Sequence, residues 1–145
     1  MSDAMQSVIP LTSLVACLLI CSLPCNLPAD TPQIRVSVET RGLDNDDPRM
    51  LSALLREFRK LDGVVVTDTQ PALKITCNVL RAHTEDGRFV GYACSTALTD
   101  ANNYLIAHTV HKASTIDMLA HAIALEADGE FIEQMRRAAQ PSASP

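Results

Sequence analysis

Residues 33–40, QIRVSVET, alternate strictly between apolar and polar: Ile34, Val36 and Val38 fall on one face, Arg35, Ser37 and Glu39 on the other. That period of two predicts a half-buried strand. RGLDNDDP then turns the chain, and Asp47-Pro48 predicts a helix start, with Asp47 as N-cap and Pro48 in the first turn. The helix is expected to reach about Leu61. Leu51, Leu54, Leu55, Phe58 and Leu61 recur at helical spacing, and Arg56, Arg59 and Lys60 stay outside. After Gly63, VVVTD predicts a short β-branched strand and TQP a turn.

The clearest pattern follows. ALKITCNVLRAH sets Leu73, Ile75, Cys77 and Val79 on one face and Lys74, Thr76 and Asn78 on the other. Asp86-Gly87 in EDGR predicts a hairpin turn, and FVGYACSTALTD the return strand. There Val90, Tyr92, Cys94, Thr96 and Leu98 share the apolar face, while Gly91, Ala93, Ser95, Ala97 and Thr99 are all small. If Glu85 pairs with Arg88, Cys77 lies opposite Thr96 and Cys94 opposite Val79, and both apolar faces agree. NYLIAHTVHKA predicts one more strand. From Ser114 or Thr115 onward, STIDMLAHAIALEADGEFIEQMRRAA is helical, with Ile116, Leu119, Ile123, Ala127 and Phe131 on one face. Leu125, Ile132 and Met135 widen that face, and Gly129 is a candidate break. The order β-α-β-β-β-β-α predicts an α+β two-layer sandwich, two helices on one face of a mostly antiparallel sheet.

The first 29 residues stand apart. They hold one charged side chain, Asp3, and Val8 to Leu23 is apolar except for Thr12, Ser13 and Ser22. Sixteen helical residues span roughly 24 Å, short of the roughly 30 Å hydrocarbon core. This length predicts a signal-peptide segment rather than a permanent span. Two processing sites compete: cleavage after Ala29 in LPAD, or a lipobox-like LVAC in which Cys17 is acylated. An acyl chain contributes about 0.8 kcal/mol of membrane binding per buried methylene. Cys17, Cys21 and Cys25 could line one helical face, yet an apolar leader offers no outer ligands to support a metal. The expected organisation is a leader over residues 1–29, one domain over 30–139 and a disordered tail over 140–145.

Charge narrows the functions. The formal net charge is −5, and 12 basic side chains face 17 acidic ones. Such a chain lacks the cationic face that nucleic-acid binding requires. It has no Trp and only five Phe and Tyr, so stacking platforms are scarce. His108 and His111, three apart on a strand, point to opposite faces and share no metal; His83 and His121 lie elsewhere. Asp44, Asp46 and Asp47 lack the glycine and distal glutamate of a calcium loop. GYACS is not a nucleophile elbow, and Glu85-Asp86 is a turn pair. Cys77 and Cys94 fit buried thiols, set diagonally and too far apart for a relaxed disulfide. No catalytic residue, cofactor or metal is expected.

LDGVVVTD, PALKITCNVLRA, the hairpin, GYACSTALTDANNYLIAHT and the terminal helix together resemble a family of bacterial envelope domains. It includes the N-terminal domain of the Tol-system translocation protein, lipoprotein activators of penicillin-binding proteins and curli-type secretion lipoproteins. The shared pattern is a G-V-x-V-x-D strand after the first helix and a later strand ending in aspartate, here Asp100. Pro71-Ala72-Leu73 replaces the family's acidic-aromatic strand start. The match covers about residues 33–135. It implies an exported, non-catalytic domain that docks onto an envelope protein partner or self-associates, often lipid-anchored. The strip Gly91, Ala93, Ser95 and Ala97 is the candidate docking surface. Two alternatives stay open: a secreted small-molecule or metal-binding protein using the open sheet face with His108 or His111, and an enzyme with an unrecognised site.

Overall fold

The computed structural model describes residues 32–42 and 46–140. Cys17, Cys21, Cys25, Ala29, Asp44 and the tail from 141 lie outside the described residues. The chain order is β1 (Ile34–Arg41), α1 (Asp47–Phe58), β2 (Val64–Val66), β3 (Leu73–His83), β4 (Phe89–Asp100), β5 (Leu105–Ala113), α2 (Ile116–Ala127) and α3 (Glu133–Ala139). Between α2 and α3 lies a π-helical turn, Asp128–Ile132.

The five strands make one open sheet in the order β2-β1-β3-β4-β5. The sheet is mixed. Its two long ladders, β3 with β4 and β4 with β5, are antiparallel, whereas β1 runs parallel to both β2 and β3. The parallel pairing of β1 and β2 needs a crossover, which α1 supplies. Residues 67–72 then step across β1 on the side of Arg35, whose guanidinium donates to the Thr69 carbonyl. The ladder closes around this step, with Thr67 N–H donating to Val36 O (2.8 Å) and Ala72 N–H to Arg35 O (2.8 Å).

One core joins the layers. Ile34, Val36 and Val38 from β1, Leu73, Ile75, Cys77 and Val79 from β3, and Cys94 and Leu98 from β4 pack against both helices. The helices contribute Met50, Leu54 and Phe58, then Ile116, Leu119, Ile123 and Ala127. Every alternation expected of β1 and β3 is present, because a one-residue slip would expose the whole apolar set.

Four local expectations are corrected. First, Asp46 is the N-cap and Asp47 the first helical residue; the Asp46 carbonyl accepts from Met50 N–H (2.9 Å), and its carboxylate pairs with Arg81. Second, α1 ends at Phe58. Residues to Leu61 form a tighter turn, with Lys60 N–H donating to Glu57 O and Leu61 N–H to Phe58 O. Third, Thr84 rather than Glu85 closes the hairpin, donating its N–H to Arg88 O (2.9 Å). The ladder recovers its expected register because Val90 is bulged out between the pairs His83–Phe89 and Ala82–Gly91. A bulge adds one residue and re-aims it, so Val90 is exposed instead of facing the core.

Fourth, Gly129 does not break the last helix. Glu133 N–H reaches back five residues to Asp128 O, and a π turn absorbs one extra residue. The core position therefore passes from Phe131, half-buried, to Ile132, fully buried. Leu125 is exposed and does not widen the apolar face.

Candidate functional site: the outer face of the sheet

Both helices pack on one face of the sheet, and no described element covers the other over β3, β4 and β5. Alternation decides what that face presents. From β3 come Lys74, Thr76, Asn78 and Leu80; from β4, Ala93, Ser95, Ala97 and Thr99; from β5, His108, Val110 and Lys112. Registers place Thr76 beside Ala97 and Ala97 beside His108, and Asn78 beside Ser95 and Ser95 beside Val110. Ala93, Ser95 and Ala97 are half-buried between taller neighbours. Ala93 and Ser95 floor an open depression of about 340 Å³, whose lining includes Asn78, Leu80 and Val110. Leu80 and Val110 are each 63% exposed, so the walls are apolar and uncovered.

Gly91, the fourth residue of the candidate strip, is different. It is buried at the bulge with φ +145°, and a Cβ there would lie 2.5 Å from the Ala113 carbonyl oxygen. Backbone proximity, not docking, requires glycine at this position.

Sequence reasoning missed one pair. Ser95 Oγ and His108 Nε2 are 2.7 Å apart on the outer face. The two are diagonal neighbours, one step from the Ala97–His108 pairing; registering β5 against β4 from the DANN turn would not have revealed them, because a bulge between Thr99–Leu105 and Leu98–Ala107 shifts the ladder by one residue. A serine–histidine contact is the first element of nucleophilic catalysis, which also needs an orienting group and oxyanion donors. Among the described residues no carboxylate bonds to His108, and the face is open to water.

His111 lies on the opposite face, as its spacing implies. Its Nε2 is 2.8 Å from Glu126 of α2 and 3.0 Å from Thr109 Oγ1, tying β5 to the helix layer. His83 stacks edge-on with Phe89, and Phe89 with Tyr92, at the far end of the hairpin. His121 bonds Glu57 across the helix seam at 3.2 Å. Among the described residues no three His, Cys, Asp or Glu side chains gather where they could hold a metal ion.

Two polar features serve the fold. Glu57, 9% exposed, also accepts from Lys60 (2.7 Å) and pairs with Arg56. The Lys60 bond foremost, then those of His121 and Arg56, hold its carboxyl below the ordinary range against the opposing cost of burial. Cys77 and Cys94 are free and buried. Both approach Thr96 Oγ1, at 3.9 and 3.4 Å. The hydrogen bond with Cys94, with burial added, pushes the Cys77 thiol far above its usual range.

No family model and no curated protein matches the chain. Solved structures do. The PelC dodecamer of Paraburkholderia phytofirmans in one crystal form shares 13% identity, covering 67% of this chain and 86% of that one at a TM-score of 0.44. A leucine-to-methionine variant of the same dodecamer, in another crystal form, shares 14% identity, covering 66% of this chain and 86% of that one at a TM-score of 0.43. Uncharacterized lipoprotein B of Nitrosomonas europaea shares 21% identity, covering 74% of this chain and 77% of that one at a TM-score of 0.38. These likenesses concern the general course of the chain, and no residue of the outer face is assigned through them.

Proposed function

We propose that this chain is an exported bacterial envelope domain that works by contact, docking onto a protein partner or a copy of itself without catalysis of its own. The observation that carries this reading is the outer sheet face. Small residues floor it, exposed Leu80 and Val110 wall it, and no described element of the chain covers it. A partner's backbone can approach Ala93, Ser95 and Ala97 closely, and apolar surface left bare on a small domain marks interaction. Export rests on the apolar run Val8 to Leu23, and the membrane tether on acylation of Cys17. Resemblance to the Tol, penicillin-binding-protein activator and curli-type envelope domains supports the same compartment, facing the periplasm.

Ala93→Arg and Ala97→Glu test the face. Both positions are half-buried on the solvent side, so stability should change by about 0.5 kcal/mol or a little more. Crosslinks formed in the envelope by the unaltered chain should disappear. If folding and every crosslink survive both substitutions, the outer face is not the working surface.

A second reading attaches to the Ser95–His108 contact, which would serve a polar small molecule bound flat on the sheet. Ser95→Ala would then weaken ligand binding without altering crosslinks.

A further inference from the structure

We propose that two copies of this chain pair edge to edge, β5 against β5 and α2 against α2, about a two-fold axis perpendicular to the sheet. The proposal goes beyond the outer-face reading and does not depend on it.

The sheet has two edges, and the sequence treats them differently. At one end of the strand order lies β2, three residues long; at the other lies β5, with nine. A terminal strand turns unpaired N–H and C=O groups outward, and short length, proline, charge or a bulge usually protects it. β2 is protected by its length. β5 has no proline and one formal charge, Lys112. Its bulge, at Ile106, lies near its start, so Ala107 to Ala113 leave roughly 20 Å of regular open ladder.

Any extended strand would satisfy that ladder; the helix above it selects a copy of this chain. α2 packs over β4 and β5, and its bonds identify its two flanks. Asp117 and His121 reach Arg56 and Glu57 of α1, whereas Glu126 reaches His111 of β5 (2.8 Å). From Glu126, steps of roughly 40° around the helix lead to Ala122 and then Met118, so Ala122 faces sideways over the β5 edge. Ala122 is half-buried, Met118 is 58% exposed and Leu125, beyond it, 63%. No described helix packs against this flank. A foreign strand would leave it bare, and a foreign helix would leave the ladder open. A second copy offers both parts at the same offset.

The spacing fits. Strands lie about 4.8 Å apart, so a helix centred between β4 and β5 stands about 5 Å from an axis between β5 and its copy. The two α2 helices are then about 10 Å apart, within packing range, and a small residue at the crossing permits it. The levels along the elements agree as well. Ala122 lies roughly 9 Å from the start of α2 at Ile116, and Val110 roughly 10 Å from the end of β5 at Ala113. One axis therefore passes beside both. Pairing about Val110 sets Val110 against its own copy, Thr109 against His111 and Ala107 against Ala113. Inner faces stay with inner faces, so both helix layers lie on one side and the two outer faces continue into one surface. Val110, 63% exposed in the single chain, gains a β-branched cross-strand neighbour. Lys112 falls beside His108, so no two formal charges of like sign meet. Pairing β5 with β2 of a copy would use only the three residues of β2 and leave an edge free to propagate, whereas the two-fold arrangement closes.

Sedimentation of the full-length chain in mild detergent should show a monomer–dimer equilibrium, which Ala122→Arg weakens by about tenfold or more. Met118→Glu sets a carboxylate beside Glu126 of the copy from an exposed position, and should do the same. Thermal melts of both variants should match the unaltered chain at dilutions where it is monomeric. Hydrogen exchange should show protection over Ala107–Ala113 that is lost on dilution, with β2 unchanged. Mild oxidation of Ala122→Cys should yield a peptide linked through position 122 of both copies. A chain that stays monomeric up to about 1 mM overturns the proposal. So does a dimer that survives both Ala122→Arg and Met118→Glu, or one without concentration-dependent protection of β5. Ala93→Arg and Ala97→Glu point away from the seam and should leave the dimer whole, so failure of the outer-face reading and failure of this pairing are separate results.

Discussion

Gly91→Ala separates a residue the fold requires from residues that merely tolerate being small. Gly91 has φ +145°, a region essentially reserved to glycine, and an added Cβ would stand 2.5 Å from Ala113 O and 3.2 Å from Ser114 Cα. All three nearest atoms are backbone, so no side chain can swing aside; β5 must move away from β4. The backbone conformation alone costs about 1–3 kcal/mol. Separating the strands at the Tyr92–Ala113 end of the ladder adds the loss of about one or two hydrogen bonds, each about 1 kcal/mol. The sum is about 3 kcal/mol or more, which for a domain of this size lowers Tm by roughly 12 °C or more. Gly87→Ala is the control. Gly87 has φ +81° and nothing within 4 Å of an added Cβ, so only the strain applies, about 1–2 kcal/mol. Urea melts of the two variants, with the slope checked for constancy, measure the difference directly. If both variants fall equally, the close approach of β5 costs nothing and Gly91 belongs with Ala93, Ser95 and Ala97 after all.

Cys77 and Cys94 should resist alkylation in the native, non-reduced protein and react only on unfolding, with an intact mass that shows no disulfide; fast native labelling or a mass two daltons low refutes this. Glu57 makes stability pH-dependent with a defined sign. Its folded carboxyl is lowered, so its contribution is complete above the unfolded value of about 4.3 and is lost as pH falls through the lowered folded value. Glu57→Gln should therefore lower Tm at neutral pH and flatten the acid limb of the Tm–pH curve; an unchanged limb assigns it to other carboxylates.

The parts legible in the sequence are those where one face is buried. Ile34–Val38 and Leu73–Val79 announce their strands because each apolar side chain must alternate into the same core. The diagonal relation of Cys77 and Cys94 follows from that alternation once the hairpin is registered. Illegible were features set by backbone hydrogen bonding. The bulge at Val90 and the π turn at Asp128–Ile132 each insert one residue. Side-chain pattern constrains such insertions only through their net effect. The hairpin register survived because a displaced turn closure and a bulge cancelled; the last helix shifted by one residue because nothing cancelled it. Parallel pairing of β1 with β3 was equally hidden, since it depends on where residues 67–72 cross.

The candidate site was half legible for the same reason. A string of small residues on one strand shows which positions lack bulk, but not whether the cause is a neighbour within the fold or a space kept open outside it. The structure separates the two by what a Cβ would meet. At Gly91 it meets the backbone of β5, so the fold accounts for the residue completely. Ala93, Ser95 and Ala97 already carry Cβ atoms on the open face, and the core beneath them rests on Cys94, Thr96 and Leu98, which point the other way. Bulk added at these three half-buried positions projects from the open face rather than into the core. Larger side chains at half-exposed strand positions would cover Leu80 and Val110 and favour the strand. That the chain keeps them small leaves exposed apolar walls with no described cover, an arrangement that lowers solubility unless something occupies the space. The outer face, not the helices or the hairpin turn, is accordingly where substitution should separate function from stability.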